Sequence, residues 1–199
     1  MANTSRVNGA RPTKYLNGAA WNGQANLYFI PSGDGTATFV GDFVKMDGTG
    51  DPVASGGSAY GVPSCIQAAA TNALVGVIVA FLPNQTNLNS PQYRLASTGR
   101  YAWVVDDPAV IFEIQASNGT PAVGDVNNNI NIAVAAGSTT TGQSGMTADV
   151  GTIATTATLP LRIMGFSQRV DNDNASASAK YLVKINNHQL GSSTGVAGV

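Results

Sequence analysis

The sequence predicts an all-β protein, a compact β-barrel or jelly-roll-like sandwich with an extended N-terminal arm. Three observations predict it. Apolar residues recur with a period of two in short runs, which puts alternate side chains on opposite faces of a strand. Almost every run is bounded by Gly, Asn, Asp, Ser or Pro, the residues of tight turns. Segments with helical periodicity are scarce across the 199 residues. That length fits one domain with an arm, and a hydrophobic content of 43% is enough to build a core.

Residues 1–24 read as the arm. They hold Gly, Asn and Pro without a periodic apolar face, and Arg6, Arg11 and Lys14 are the only charges before Asp34. The arm is therefore locally basic. The segment reads either as a disordered terminus or as an arm that orders on a partner, and Tyr15, Leu16 and Trp21, which need cover, favour the arm. Arg6, Arg11, Lys14, Tyr15 and Trp21 are the expected contacts, the cations to an acidic surface and the rings as anchors in pockets.

Residues 25–199 read as a single β-domain. "NLYFI" stops at the turn "PSGDG". "ATFVGDFVKM" is expected as a strand, with Phe39, Gly41 and Phe43 on one face. "DGTGDPVASGGSAYG" is expected as a long Gly-rich loop, and "PSCIQAAATNAL" as a helical turn or two. "ALVGVIVAFL" is apolar on both faces, as a buried central strand requires. "QYRLAS" and "RYAWVV" are the next strand segments. In "VVDDPAVIFEIQ", Pro108 fixes a turn after Asp106 and Asp107. Beyond it Val110, Phe112 and Ile114 share one face, and Ile111, Glu113 and Gln115 the other. The aspartates then bond local backbone, and Glu113 points away from Phe112. This reads as a turn and a strand rather than a cluster of catalytic carboxylates. "NINIAVA", "LPLRIMGFS" and "KYLVKINN" complete the strands. "AAGSTTTGQSGMTADVGTIATTATLP" reads as a flexible loop or as an excursion over a neighbour, with room for one helical turn. The tail "GSSTGVAGV" reads as loose.

The search for chemistry returns little. No phosphate loop and no nucleophile elbow is present. Cys65 is the only cysteine and His188 the only histidine, and no metal-binding spacing exists around them. Cys65 reads as a buried hydrophobe. "DNDN" at Asp171 to Asn174 lacks the later Gly and acid of a calcium loop, and the one acid of "VGDVNNNIN", Asp125, would hold a cation weakly. No catalytic residue, metal or cofactor is expected. Net charge is −1 without a basic stripe, which argues against nucleic acid as a partner. The longest apolar run, Ala73 to Leu82, is too short to cross a membrane as a helix. With no apolar signal region at the start and no disulfide, the expectation is a soluble protein made in the cytosol. The sequons at Asn84 and Asn118 then read as accidental. Tyr101 and Trp103 share a face and are the candidate glycan contacts, with core or interface packing as the competing reading.

Charged residues make up only 11% of the chain, against about 25% in an ordinary domain. Such a surface suits a protein packed against other subunits, and equally an inert secreted β-protein. An ordered series of segments carries a family resemblance. It runs from "GARPTKYLNGAAWNGQANLYFIPSGDGTATFVGDFVKMDGTG" through "GVPSCIQAAATNALVGVIVAFLPN" and "QYRLASTGRYAWVVDDPAVIFEIQ". It ends with "GDVNNNINI", "LPLRIMGF" and "YLVKINNHQLGSSTGV". In this order the chain resembles the head decoration, or cement, proteins of tailed bacteriophages. The resemblance implies a non-enzymatic virion protein, made in the host cytoplasm, on the outer surface of the head. It implies binding to the major capsid protein and to itself as a dimer or trimer, with no nucleic acid or membrane involved. The alternatives are a carbohydrate-binding β-domain and a tail or fibre subunit.

Overall fold

The computed structural model describes residues 3–51, 60–84, 87–192 and 194–198. The protein is all-β. The strands are β1 (Arg11–Tyr15), β2 (Asn26–Ile30), β3 (Phe43–Gly50), β4 (Pro63–Gln67), β5 (Gly76–Phe81) and β6 (Arg100–Val105). They continue as β7 (Val110–Ser117), β8 (Asn129–Ala133), β9 (Thr147–Ala154), β10 (Leu161–Phe166) and β11 (Lys180–Ile185). One 3-10 turn, Val123–Asp125, precedes β8.

Five strands close a barrel in the order β2-β4-β3-β5-β6, and the others form a sheet ordered β1-β7-β11-β10-β8-β9. In that sheet β9 also pairs in parallel with β7 at Ala116 and Ser117, so the sheet curls back on itself. Alternation fills two cores. The barrel interior holds Tyr28, Ile30, Val44, Cys65, Val75, Ile78, Ala102 and Val104. A larger core holds Phe112, Ile114, Ile130, Ile132, Ile163 and Val183 from the curled sheet, together with Phe43 and Val77 from the barrel strands and Leu74 just before β5. Phe43 meets Phe112 edge to face at 6.1 Å. β5 is covered on both faces because Val77 looks into one core and Ile78 into the other. Each such side chain contributes about 1.5–3 kcal/mol on burial.

Several expectations change here. The helical turns proposed in "PSCIQ" and "MTADVGTIA" are instead strands β4 and β9, because β-branched residues and cross-strand partners outweigh the alanines nearby. "ATFVGDFVKM" is not one strand. Gly41 takes φ +95°, and the Asp42 carboxylate accepts the Phe39 N–H at 2.8 Å, so a turn precedes β3. "QYRLAS" is not a strand either, making a single bridge between Arg94 and Thr38. β3 runs into the first part of the expected Gly-rich loop, and residues 52–59 of that loop lie outside the described residues. The Thr-rich segment lies on its own chain: Ser144 N–H donates to the Val40 carbonyl at 2.8 Å, and β9 follows. The tail is tied down. Val196 N–H donates to Asn186 Oδ1 at 3.0 Å, and Asn129 Nδ2 donates to the Val196 carbonyl at 2.7 Å.

The N-terminal segment runs along its own domain. β1 pairs antiparallel with β7, Arg11 opposite Glu113 and Tyr15 opposite Val110. Residues 19–21 fold back on β1, with Tyr15 N–H donating to the Ala19 carbonyl at 2.8 Å and Trp21 N–H to that of Thr13 at 3.1 Å.

Candidate functional site

The carboxylates of "VVDDPAVIFEIQ" take separate structural roles, and of the two aspartates only Asp107 bonds the local backbone as expected, Asp106 reaching side chains of β2 instead. Asp106 accepts Asn26 Nδ2 at 2.8 and 3.0 Å and the Tyr28 hydroxyl at 2.8 Å. Asp107 accepts the Ala109 N–H at 2.7 Å, closing the turn. Glu113 is on the outward face of β7, where it accepts the Ser167 hydroxyl and pairs with Arg169 at 3.4 Å. Among the described residues no three His, Cys, Asp or Glu side chains gather as a metal site would need. Cys65 sits in the barrel interior, and burial with the carboxylates of Asp34 and Asp47 pushes its thiol up to about 12, so it stays a thiol at neutral pH. Asp171 binds Arg169 at 3.0 Å, and Asp125 accepts the Tyr181 hydroxyl.

Phe29 of β2 and Tyr101 and Trp103 of β6 face away from the barrel interior, whereas Tyr28 points into it. Trp103 is 38% exposed, opposite Leu27 on β2 and Ala80 on β5. Tyr101 packs at 5.1 Å on Phe29 and at 4.9 Å, edge to face, on Tyr60, and its hydroxyl donates to Asp51 Oδ2 at 2.6 Å. Tyr101 is thus locked in a cluster, and Trp103 is the freer ring.

The cations tell a different story. Arg11 and Lys14 occupy outward positions on β1, since Pro12 and Tyr15 alternate with them against the core side. Lys180 and Lys184 occupy outward positions on β11, between the core residues Tyr181, Val183 and Ile185. Arg162 on β10 is directly opposite Lys184. Lys184 faces Ile111 on β7, which faces Lys14 on β1. One row across four strands therefore reads Arg162, Lys184, Ile111, Lys14.

Beside this row lies a groove of about 560 Å³ lined by Arg6, Arg11, Arg169 and Lys180. Its walls are fixed by neutral hydrogen bonds. Asn3 Nδ2 donates to the Asp173 carbonyl and Asn3 Oδ1 accepts the Asp173 N–H, each at 2.8 Å. Arg6 N–H donates to Gln115 Oε1 at 2.7 Å. Arg169 is held by Asp171 and Glu113, and those carboxylates keep its guanidinium above its ordinary pKa. The charged ends of Arg6, Arg11 and Lys180 make no hydrogen bond or ion pair among the described residues.

Of the five contacts expected in the N-terminal segment, Arg6 and Arg11 meet in the groove and Lys14 lies along the basic row. Tyr15 and Trp21 do not join them. Both pack against the larger core of their own chain, and the Trp21 indole donates to the Gln24 carbonyl at 3.2 Å. Sequence reading missed Arg162, Arg169, Lys180 and Lys184. The signal for the three strand residues was present, since alternation in "LRIMGF" and "KYLVKI" sets each cation opposite the apolar face. Comparison with known proteins finds no matching family model, no matching curated protein and no matching solved structure.

Proposed function

We propose that the protein is a non-enzymatic decoration, or cement, protein of a phage head. It docks on the outer capsid surface through the basic face of the curled sheet and bridges major capsid subunits as a dimer or trimer. The observation that carries this reading is the cation row. Like charges directly opposite one another destabilise a sheet, so Arg162 against Lys184 is a folding cost that an anionic surface would offset. The segment resemblance and the sparsely charged remainder of the surface support the same reading. Individually weak contacts suffice, because many copies on one shell act through multivalency.

The test uses capsid shells lacking the protein. Added protein is expected to co-sediment at low salt and to be released as salt rises, because exposed ion pairs are screened. Lys14→Glu with Lys184→Glu should lower the salt at which release occurs. No association, or association indifferent to both salt and charge reversal, would sink the reading. A second reading, carbohydrate binding, rests on the exposed ring of Trp103. It requires hits on a glycan array that Trp103→Ala abolishes.

A further inference from the structure

We propose that the groove between residues 3–11 and the 169–180 loop is a docking site for a carboxylate-rich peptide segment of the partner. This rests on the reading that the basic face meets another protein. Three features select the occupant. Arg6, Arg11 and Lys180 line the groove with charged ends that have no partner among the described residues. An arginine fork suits a carboxylate, which accepts two parallel N–H bonds. A volume of about 560 Å³ accommodates a few side chains rather than a whole surface.

The surroundings disfavour other anions. No aromatic side chain lines the groove, so nothing there stacks a base or a sugar ring. The rings that could stack, Tyr60, Tyr101 and Trp103, belong to the barrel cluster or its β6 strand. Glu113, Asp171 and Asp173 stand at the groove or against its Arg169 wall. The two hydrogen bonds between Asn3 and Asp173 tie the two walls to each other without using any of the three free cations.

The experiment is fluorescence anisotropy on the full chain with a labelled oligoglutamate peptide, beside oligodeoxythymidylate and a heparin oligosaccharide. Oligoglutamate should bind most tightly. Arg6→Ala and Arg11→Ala should each weaken it about fivefold, the scale of a lost exposed charge pair. Lys45→Ala, on the barrel, should leave it unchanged, and Arg162→Ala, outside the groove, should weaken it less than either groove variant. Unchanged circular dichroism would confirm that the variants fold, as expected for side chains that bond nothing in the domain. Tighter binding of the nucleic acid or of heparin would overturn the proposal. So would an equal loss from Arg162→Ala, or no peptide binding. Peptide binding without shell association would leave the groove standing and remove the cement reading. Shell association that Arg6→Ala and Arg11→Ala leave intact would remove the groove alone.

Discussion

Arg94 is the most consequential single residue outside the basic face. Its side chain has no exposure. Nε donates to the Thr98 carbonyl at 2.7 Å, Nη2 to the carbonyls of Pro31 and Asp34 at 2.7 Å, and Nη1 to Asp34 Oδ2 at 3.1 Å. One planar fork thus ties the loop after β2 to the loop before β6. Arg94→Ala removes the buried ion pair of Asp34 and the guanidinium bonds to these carbonyls and should cost about 3–5 kcal/mol in denaturant unfolding. Arg94→Lys should recover little, because one ammonium cannot span these acceptors. Nothing in "QYRLAS" announces this role. The segment alternates like a strand, and the partners are loop carbonyls whose approach only the closed barrel creates. His188 is similarly hidden. Its Nδ1 accepts the Leu190 N–H at 3.1 Å, and burial lowers its pKa despite Asp106 and Asp107. The unfolded chain takes the proton near about 6.5. The stabilisation is therefore fully present above that pH and lost as pH falls toward the depressed folded value. Midpoints for urea unfolding should fall across this window in the wild type, and His188→Gln should flatten the profile there.

At the scale of elements, most strands were legible. "RYAWVV" and "KYLVKI" alternate because each separates a more covered face from a wetter one, while "VIFEIQ" is covered on both faces and was legible from its apolar, β-branched run after the Pro108 turn. β4 and β9 were harder, since "SCIQAAA" and "GMTADVG" mix alanine and small residues that strands and helices share. The N-terminal segment was misleading for a different reason. β1 is short and interrupted by a bulge between Pro12 and Lys14, so no period appears. Its anchorage depends on two glycines. Ala10 N–H donates to the Gly41 carbonyl at 2.9 Å, with Gly9 at φ +67° and Gly41 at φ +95°. A Cβ on Gly9 would overlap the Gly41 carbonyl and the Ser144 side chain. Gly9→Ala should therefore cost more than about 1 kcal/mol and speed amide exchange in β1 relative to β10. Equal protection in both strands would show that this crossing does not hold the segment. The fold-back of residues 19–21 also covers much of the free edge of β1, which favours side-chain charge over strand addition as its means of contact.

At the scale of the whole molecule, a net charge of −1 conceals a separation. The N-terminal segment and curled sheet, with their loops, carry seven of the ten cations against five of the eleven acids. The barrel half holds Lys45, Arg94 and Arg100 against six acids, and two of those cations are spent on carbonyls within it. Composition alone cannot show this, because the face is assembled by strand register from residues spread between positions 6 and 184. The protein should be retained on a cation exchanger near neutral pH despite its negative net charge, and Arg162→Glu with Lys184→Glu should abolish retention. Deleting residues 1–24 would remove Tyr15 and Trp21 from the core as well as three cations. It should lower the thermal midpoint, so charge reversal is the cleaner probe of docking. The most direct measurement is a cryo-EM reconstruction of the virion that carries this chain. The cement reading predicts ordered density on the outer shell, with Arg11, Lys14, Arg162 and Lys184 turned toward capsid subunits. Density at the tail, absence from the particle, or a basic face turned to solvent would contradict it.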